Sequence, residues 1–286
     1  MIDLHTHTTH SDGSLAPAEL IRLASEKNLT AIAVTDHDTM SGFKEASEEA
    51  ARRKIEFIPG IEISVKFEPG TLHILGYFLD PENSQLQAML FEIQKARSER
   101  NPQMVEALRG LGIEISLEEV LREAYGTSQA PEGKQLGRPH FAKVLVKKRV
   151  VKSSQEAFEK FLAKGRPAYV DKRKVTSREA VEAIHAAGGV TSVAHPVQMR
   201  LEGAALETEI GRLAGEGLDA IEVYNSCQRP EHHKIYQALA KQWNLAVTGG
   251  SDFHGAHKPG VELGNAGVKL GYDLVEGLLK RRGQRK

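Results

Sequence analysis

The sequence predicts an α/β fold, a mostly parallel sheet of about seven strands closing into a barrel and interrupted by a helical insertion. Three observations carry this. Short β-branched runs alternate with longer amphipathic stretches near both ends of the chain. The block from about residue 80 to 167 holds helical patterns and loops but no convincing strand. Histidines and carboxylates recur where strands are expected to end, and in parallel α/β folds those ends gather at one face. The expected division is a barrel of residues 1–79 and 168–286, with residues 80–167 as a helical insertion or cap. A doubly wound sheet would usually carry a glycine-rich phosphate loop after its first strand. Here that place reads His5-Thr6-His7.

Ile2, Asp3 and Leu4 form a short strand running into His5-Thr6-His7. Alternate strand residues share a face, so His5 and His7 point the same way, about 7 Å apart. Two imidazoles converging at a strand end make half of a metal site. The following loop adds His10 and Asp12, then Gly13 and Ser14 lead into a helix over residues 14–28, with Ser14 in the capping region and Pro17 in the first turn. Residues 30–35 are a buried strand ending in Asp36-His37-Asp38-Thr39, and 41–53 a helix. Residues 55–61 are a strand interrupted at Pro59-Gly60 that delivers Glu62, and 71–78 a strand with His73 near its start.

In the insertion, helices are expected over 85–111, with Pro102 as a kink or boundary, and over 117–124, 139–147 and 154–162; residues 125–137 read as a polar loop. Alternation then returns. Helices over 177–187, 206–216, 230–244 and 272–282 separate strands over 190–194, 218–224 and 245–248. These strands run out into His195-Pro196, Asn225-Ser226 and Gly249-Gly250-Ser251-Asp252-Phe253-His254, and Gly188-Gly189 stops the first of the helices.

Composition narrows the function. Lys plus Arg equals Asp plus Glu at 38 each, which argues against a large non-specific nucleic-acid surface while leaving room for a small phosphate pocket. One cysteine, Cys227, rules out a disulfide framework and fits a reducing cytoplasm. No signal-peptide pattern and no apolar run of membrane-spanning length are evident. The strand-end candidates are His5, His7, Asp12, His37, Glu62, His73, His195, Asp252 and His254. Histidines and carboxylates without cysteine suit Mn²⁺, Zn²⁺ or Fe²⁺. Nine donors exceed one ion and suit two or three, with a carboxylate such as Glu62 bridging.

The chain resembles the PHP (polymerase and histidinol phosphatase) superfamily. The matching stretches are His5-Thr6-His7 with Ser11-Asp12-Gly13, Thr35-Asp36-His37-Asp38-Thr39, Gly60-Ile61-Glu62, Ala194-His195-Pro196 and Ser251-Asp252-Phe253-His254. Their joint occurrence in order is specific, although each alone is weak. The resemblance implies a distorted (βα)7 barrel, two or three divalent metal ions (manganese first, with zinc, iron or magnesium as alternatives) and phosphoester hydrolysis. It implies His5, His7, Glu62 and Asp252 at a first metal, Glu62, His73 and His195 at a second, and Asp12, His37 and His254 at a third. Asp12 stands where many relatives have histidine, and His10 matches no ligand position.

The helical block with Gly137-Arg138-Pro139-His140 is similar to the stand-alone nucleotide phosphoesterases: 3′,5′-nucleoside bisphosphate phosphatases and 5′→3′ oligoribonucleases. The expected substrate is a small nucleotide or short oligoribonucleotide, with no membrane partner. A hydroxide between two metals would attack phosphorus in line, and His195 or Asp252 would return a proton to the leaving oxygen. Arg138 is the candidate for a second phosphate, since its planar fork suits bidentate binding, with His140 assisting. Competing readings are a histidinol-phosphate phosphatase and a metal-stabilised interaction module without turnover.

Other residues have plainer expectations. Asp36 and Asp38 would orient His37 or cap a helix. His185 would complement a helix C-terminus or lie at the surface, and His232 and His233 would be solvated. His257 and Lys258 follow the last motif closely and could touch substrate, although such loop positions are usually ordinary. Asn225 and Ser226 could reach substrate. Cys227 is a bystander and Trp243 packs. The basic tail over 280–286 is a solvated helix end.

Overall fold

The computed structural model describes residues 1–129, 136–171 and 174–284. Among them, seven strands form one sheet in the order β1 to β7. They are β1 (Ile2–Asp3), β2 (Ala31–Val34), β3 (Glu56–Val65), β4 (Leu72–Tyr77), β5 (Val190–Val193), β6 (Ala220–Asn225) and β7 (Ala246–Gly250). The sheet nearly closes into a barrel. Leu4 N–H donates to the Gly249 carbonyl at 3.3 Å, and Thr6 bridges to Phe253 in parallel register. Ten α-helices accompany the strands among the described residues.

Contacts divide the chain into two units, Met1–Leu90 with Lys174–Lys286, and Phe91–Arg173. In the first, strand alternation sorts side chains between two cores. Ala31 and Ala33 pack with Ile2, Leu4 and Ile58. Ile32 and Val34 face the other way, against Leu20 and Ile21 of α1 (Pro17–Glu26) and Ala46 and Ala50 of α2 (Phe43–Arg53). α3 (Ser84–Gly110) begins in the first unit and continues into the second, which adds α4 (Leu117–Tyr125), α5 (Arg138–Lys147) and α6 (Ser154–Ala157), the last running into a π turn, Phe158–Leu162. The second unit's core is formed by Met104, Leu108, Val120, Phe141, Leu145 and Leu162. α7 (Ser177–Ala186), α8 (Gly203–Gly215), α9 (Pro230–Gln242) and α10 (Asp273–Gly283) complete the first unit. No described helix is long and apolar enough to cross a membrane.

The mostly parallel sheet is as expected: four of the strand pairings are parallel, while β4 is antiparallel to both β3 and β5. Only residues 66–71 separate β3 from β4, too few for the crossover that parallel neighbours need. The reversal places His73 opposite Ser64, near the far end of β3. Pro59-Gly60 does not interrupt β3. The strand pairs with β2 up to Val34↔Pro59 and with β4 from Gly60↔Tyr77 onward. The residue lacking an N–H thus lies where β3 changes partners, and Glu62 is inside the strand rather than after it.

Ser14 caps no helix. α1 starts at Pro17, while Ser14 Oγ accepts the Ala256 N–H at 2.8 Å. Pro102 lies inside a continuous α3. His233 is buried, not solvated, because it shares the inward face of α9 with Tyr236 and Ala240 and packs edge-on to Tyr224. Trp243 fills the space over Gly211, as expected of a packing residue. The expected polar loop is described only outside residues 130–135, and Arg285 and Lys286 of the basic tail lie outside the described residues.

Candidate metal centre

All nine strand-end candidates come together in the first unit. β1 runs out into His5 and His7, β2 into His37, and β5 into His195; β3 and β4 carry Glu62 and His73; β7 leads to Asp252 and His254. Among the described residues, four groups have donor atoms mutually within 4.8 Å: His7, Asp12, His37 and His254; His5, Glu62 and His195; His5, His7 and Asp252; His37, Glu62 and His73. His10 is elsewhere, with Nδ1 at 2.6 Å from Ser41 Oγ.

Glu62 is the hub. Its Oε1 lies 2.7 Å from His73 Nδ1 and 2.9 Å from His195 Nε2. Its Oε2 lies 3.0 Å from His37 Nδ1, 3.2 Å from His7 Nε2 and 3.4 Å from His5 Nε2. Asp252 Oδ1 faces His7 Nε2 at 3.3 Å and His5 Nε2 at 3.5 Å. Asp12 Oδ1 faces His254 Nε2 at 3.2 Å.

Burial alone would push the Glu62 carboxyl up, but His37, His73 and His5 outweigh it and hold it well below the usual range. Burial opposes charge on His37 too, yet Glu62 and Asp12 raise it to about 9. Burial dominates at His73, which falls to about 4 despite Glu62.

The donors fit divalent ions. His5 Nε2, His7 Nε2, Asp12 Oδ1, His37 Nδ1, Glu62 Oε2 and His195 Nδ1 are buried and make no hydrogen bond. Orphaned polar atoms of this kind are costly unless something else binds them. Ligands about 2.1 Å from a shared ion lie roughly 3.0 to 3.4 Å apart, which matches the spacing around Glu62 Oε2.

The backbone is shaped for this convergence. His195 has φ 25° and Asp252 φ 55°, both in the positive region that non-glycine residues enter infrequently. Gly250 permits close approach of β7 to β1, since a Cβ there would lie 2.4 Å from His5 Cβ. The Asp36 carboxylate accepts from Thr8 N–H at 2.7 Å, Thr8 Oγ1 at 2.6 Å and Ser11 Oγ at 2.6 Å, so it holds the loop after β1. Asp38 accepts from Ser64 N–H at 2.9 Å. Neither caps α2, whose N-cap is Gly42.

Two buried carboxylates, Glu222 and Asp3, have no role in the sequence analysis, and Lys258 has a more specific one than expected. Glu222 on β6 is fully buried, with Oε1 2.9 Å from His5 Nδ1. Asp3 is fully buried and accepts from Ser251 N–H at 2.9 Å and Gly264 N–H at 2.8 Å. Lys258, expected to be an ordinary loop residue, donates to Asp252 Oδ2 at 2.6 Å. The signal for the first two was a carboxylate inside an otherwise apolar strand. Asn225, considered for substrate, donates to Glu222 Oε2 at 3.0 Å. His185 Nε2 sits 3.1 Å from Asp219 Oδ2.

Arg138 and His140 belong to the second unit. The Arg138 guanidinium lies over the Phe158 and Tyr169 rings, at 5.7 and 5.4 Å, and donates to the Leu162 carbonyl at 3.2 Å. His140 is buried, and its Nδ1 accepts the Gly137 N–H at 3.0 Å at the start of α5.

A family model described as the PHP domain matches residues 3–227. The chain belongs to the PHP domain family. The match ends before Asp252 and His254, which the fold nevertheless brings into the same cluster. The chain is 34% identical to the 5′-3′ exoribonuclease Rnm of Escherichia coli (strain K12), over 96% of this chain and 93% of that protein. It is also 34% identical to a 3′,5′-nucleoside bisphosphate phosphatase of Chromobacterium violaceum, over 92% and 90%. A crystal structure from Bifidobacterium adolescentis, assigned as a metal-dependent phosphoesterase, superposes with a TM-score of 0.87 at 31% identity, covering 98% of this chain and 96% of that one. Fold, donor set and relatives make this PHP protein a hydrolase of the metal-dependent phosphoesterase class.

Proposed function

We propose that the enzyme removes the 3′-phosphate of 3′,5′-bisphosphonucleotides and degrades short 5′-phosphorylated RNA from its 5′ end. The observation that carries this reading is the near full-length similarity to two relatives bearing those activities, joined to a donor cluster that fits divalent ions. We place His5, His7, Glu62 and Asp252 at one ion, Glu62, His73 and His195 at a second, and Asp12, His37 and His254 at a third. Manganese is the proposed metal, and the single cysteine supports a cytoplasmic setting.

When bound, the ions supply an acidified water and neutralise charge on the phosphoryl oxygens. The protein positions everything else. Glu62 draws five imidazoles onto one carboxylate. Lys258 occupies the outer oxygen of Asp252 and leaves Oδ1 facing His5 and His7. His195 and Asp252 are the candidates for returning a proton to the leaving oxygen.

The test is phosphate release from adenosine 3′,5′-bisphosphate with added Mn²⁺, beside a His7→Ala control. Metal-dependent release of the 3′-phosphate, absent from the control, supports the reading; metal-loaded protein that releases nothing rejects it. Arg138 is proposed to bind the second phosphate with His140 beside it in α5. Arg138→Ala is expected to cost about tenfold to a hundredfold in kcat/KM on the bisphosphate, the worth of a charge-assisted hydrogen bond, and to spare a simple aryl phosphate. Equal losses on both substrates would remove Arg138 from that role.

A further inference from the structure

We infer that Glu222 is a positioning residue that fixes which nitrogen of His5 faces the donor cluster and ties His5 to His195. The inference rests on the metal-centre reading above. Glu222 lies on β6 and is fully buried. Its Oε1 is 2.9 Å from His5 Nδ1. Its Oε2 accepts the His195 backbone N–H at 2.5 Å and Asn225 Nδ2–H at 3.0 Å. One carboxylate therefore grips residues that follow two different strands, β1 and β5.

An ionised carboxylate only accepts hydrogen bonds, so the proton of a neutral His5 belongs on Nδ1. Nε2 then turns its lone pair toward the cluster, where it lies 3.4 Å from Glu62 Oε2 and 3.5 Å from Asp252 Oδ1 without a hydrogen bond. The second oxygen anchors the backbone of His195 where its φ is 25° and ψ 67°. That conformation is sparsely populated and persists only when surrounding bonds impose it. Both oxygens of Glu222 are already engaged, so it acts through these two histidines.

Glutamine in this place would be nearly isosteric with a different pattern of donors. The His195 N–H can only donate and would take the amide oxygen. The amide NH₂ would then face His5 Nδ1, which must become the acceptor. The His5 proton moves to Nε2, and the lone pair facing the cluster is lost.

Zinc affinity, measured by competition with a chromophoric chelator, and ¹⁵N NMR of histidine-labelled, zinc-loaded protein test this in wild type and Glu222→Gln. Wild type should carry the His5 proton on Nδ1. Glu222→Gln should bind zinc about 10- to 100-fold more weakly, the usual cost of losing such a partner, with the His5 proton on Nε2. Asn225→Ala, which leaves the charge and the His5 contact intact, should lose far less. Unchanged zinc affinity in Glu222→Gln, or weaker binding with the proton still on Nδ1, overturns the inference. A wild-type His5 protonated on Nε2 overturns it without any variant. Wild-type protein that binds no zinc or manganese instead overturns the metal-centre reading on which the inference rests.

Discussion

Glu62→Gln is expected to lower kcat/KM by more than about a thousandfold, since losing a member of a unit that acts together costs nearly the whole unit. The substitution keeps the shape and removes the charge. Five imidazole nitrogens approach the two Glu62 oxygens, at 2.7 to 3.4 Å. An amide offers one acceptor where two are used, and its NH₂ faces nitrogens that need a negative neighbour or a shared ion. Bound metal, measured by elemental analysis, should fall with activity. A Glu62→Gln protein that keeps its metal and stays within tenfold of wild type would refute the central role of this carboxylate.

Gly250→Ala should damage the same site through the backbone. The added Cβ would lie 2.4 Å from both the Cβ and the backbone nitrogen of His5 and 2.8 Å from its Cα. No flexible side-chain end can yield there, so β1 itself must shift against β7. Overpacking of this kind costs about 1 to 3 kcal/mol, or roughly 2 to 4 °C of thermal midpoint per kcal/mol in a domain of this size. His5 moves with β1, and a displacement of about 1 Å is enough for a hundredfold loss of turnover. Gly277→Ala in α10, where nothing lies within 4 Å of the new Cβ, is the matched control: it should leave kcat unchanged and, by helix propensity, raise the thermal midpoint slightly. Gly250→Ala with wild-type kcat would show that β1 can yield without moving His5 from its working position.

The donor set was readable because of where its residues stand in the chain. His5, His7, His37, His195, Asp252 and His254 each follow a segment that reads as a strand, and parallel strands bring such ends to one face. The helices were readable to within a few residues from periodicity and from signals such as Pro17 in the first turn of α1. The direction of β4 was also available in principle, since a connection over residues 66–71 cannot cross the barrel. Alternation elsewhere points to a mostly parallel sheet and does not by itself mark β4 as the exception. Pro59 misled for a related reason: its missing N–H reads as a break until the change of partner from β2 to β4 is visible.

The roles of Asp3, Glu222 and Lys258 follow a different rule. Asp3 finds Ser251 across 248 residues, and His5 finds Glu222 across 217. Periodicity, capping and turn chemistry are properties of neighbours along the chain, so the amino-acid order alone points to which segments become strands and which candidate metal-ligating side chains stand in or just after them. Which buried carboxylate meets which imidazole is settled only by closure of the barrel, because desolvation forces each buried charge to find a partner among whatever the distant strands bring within reach.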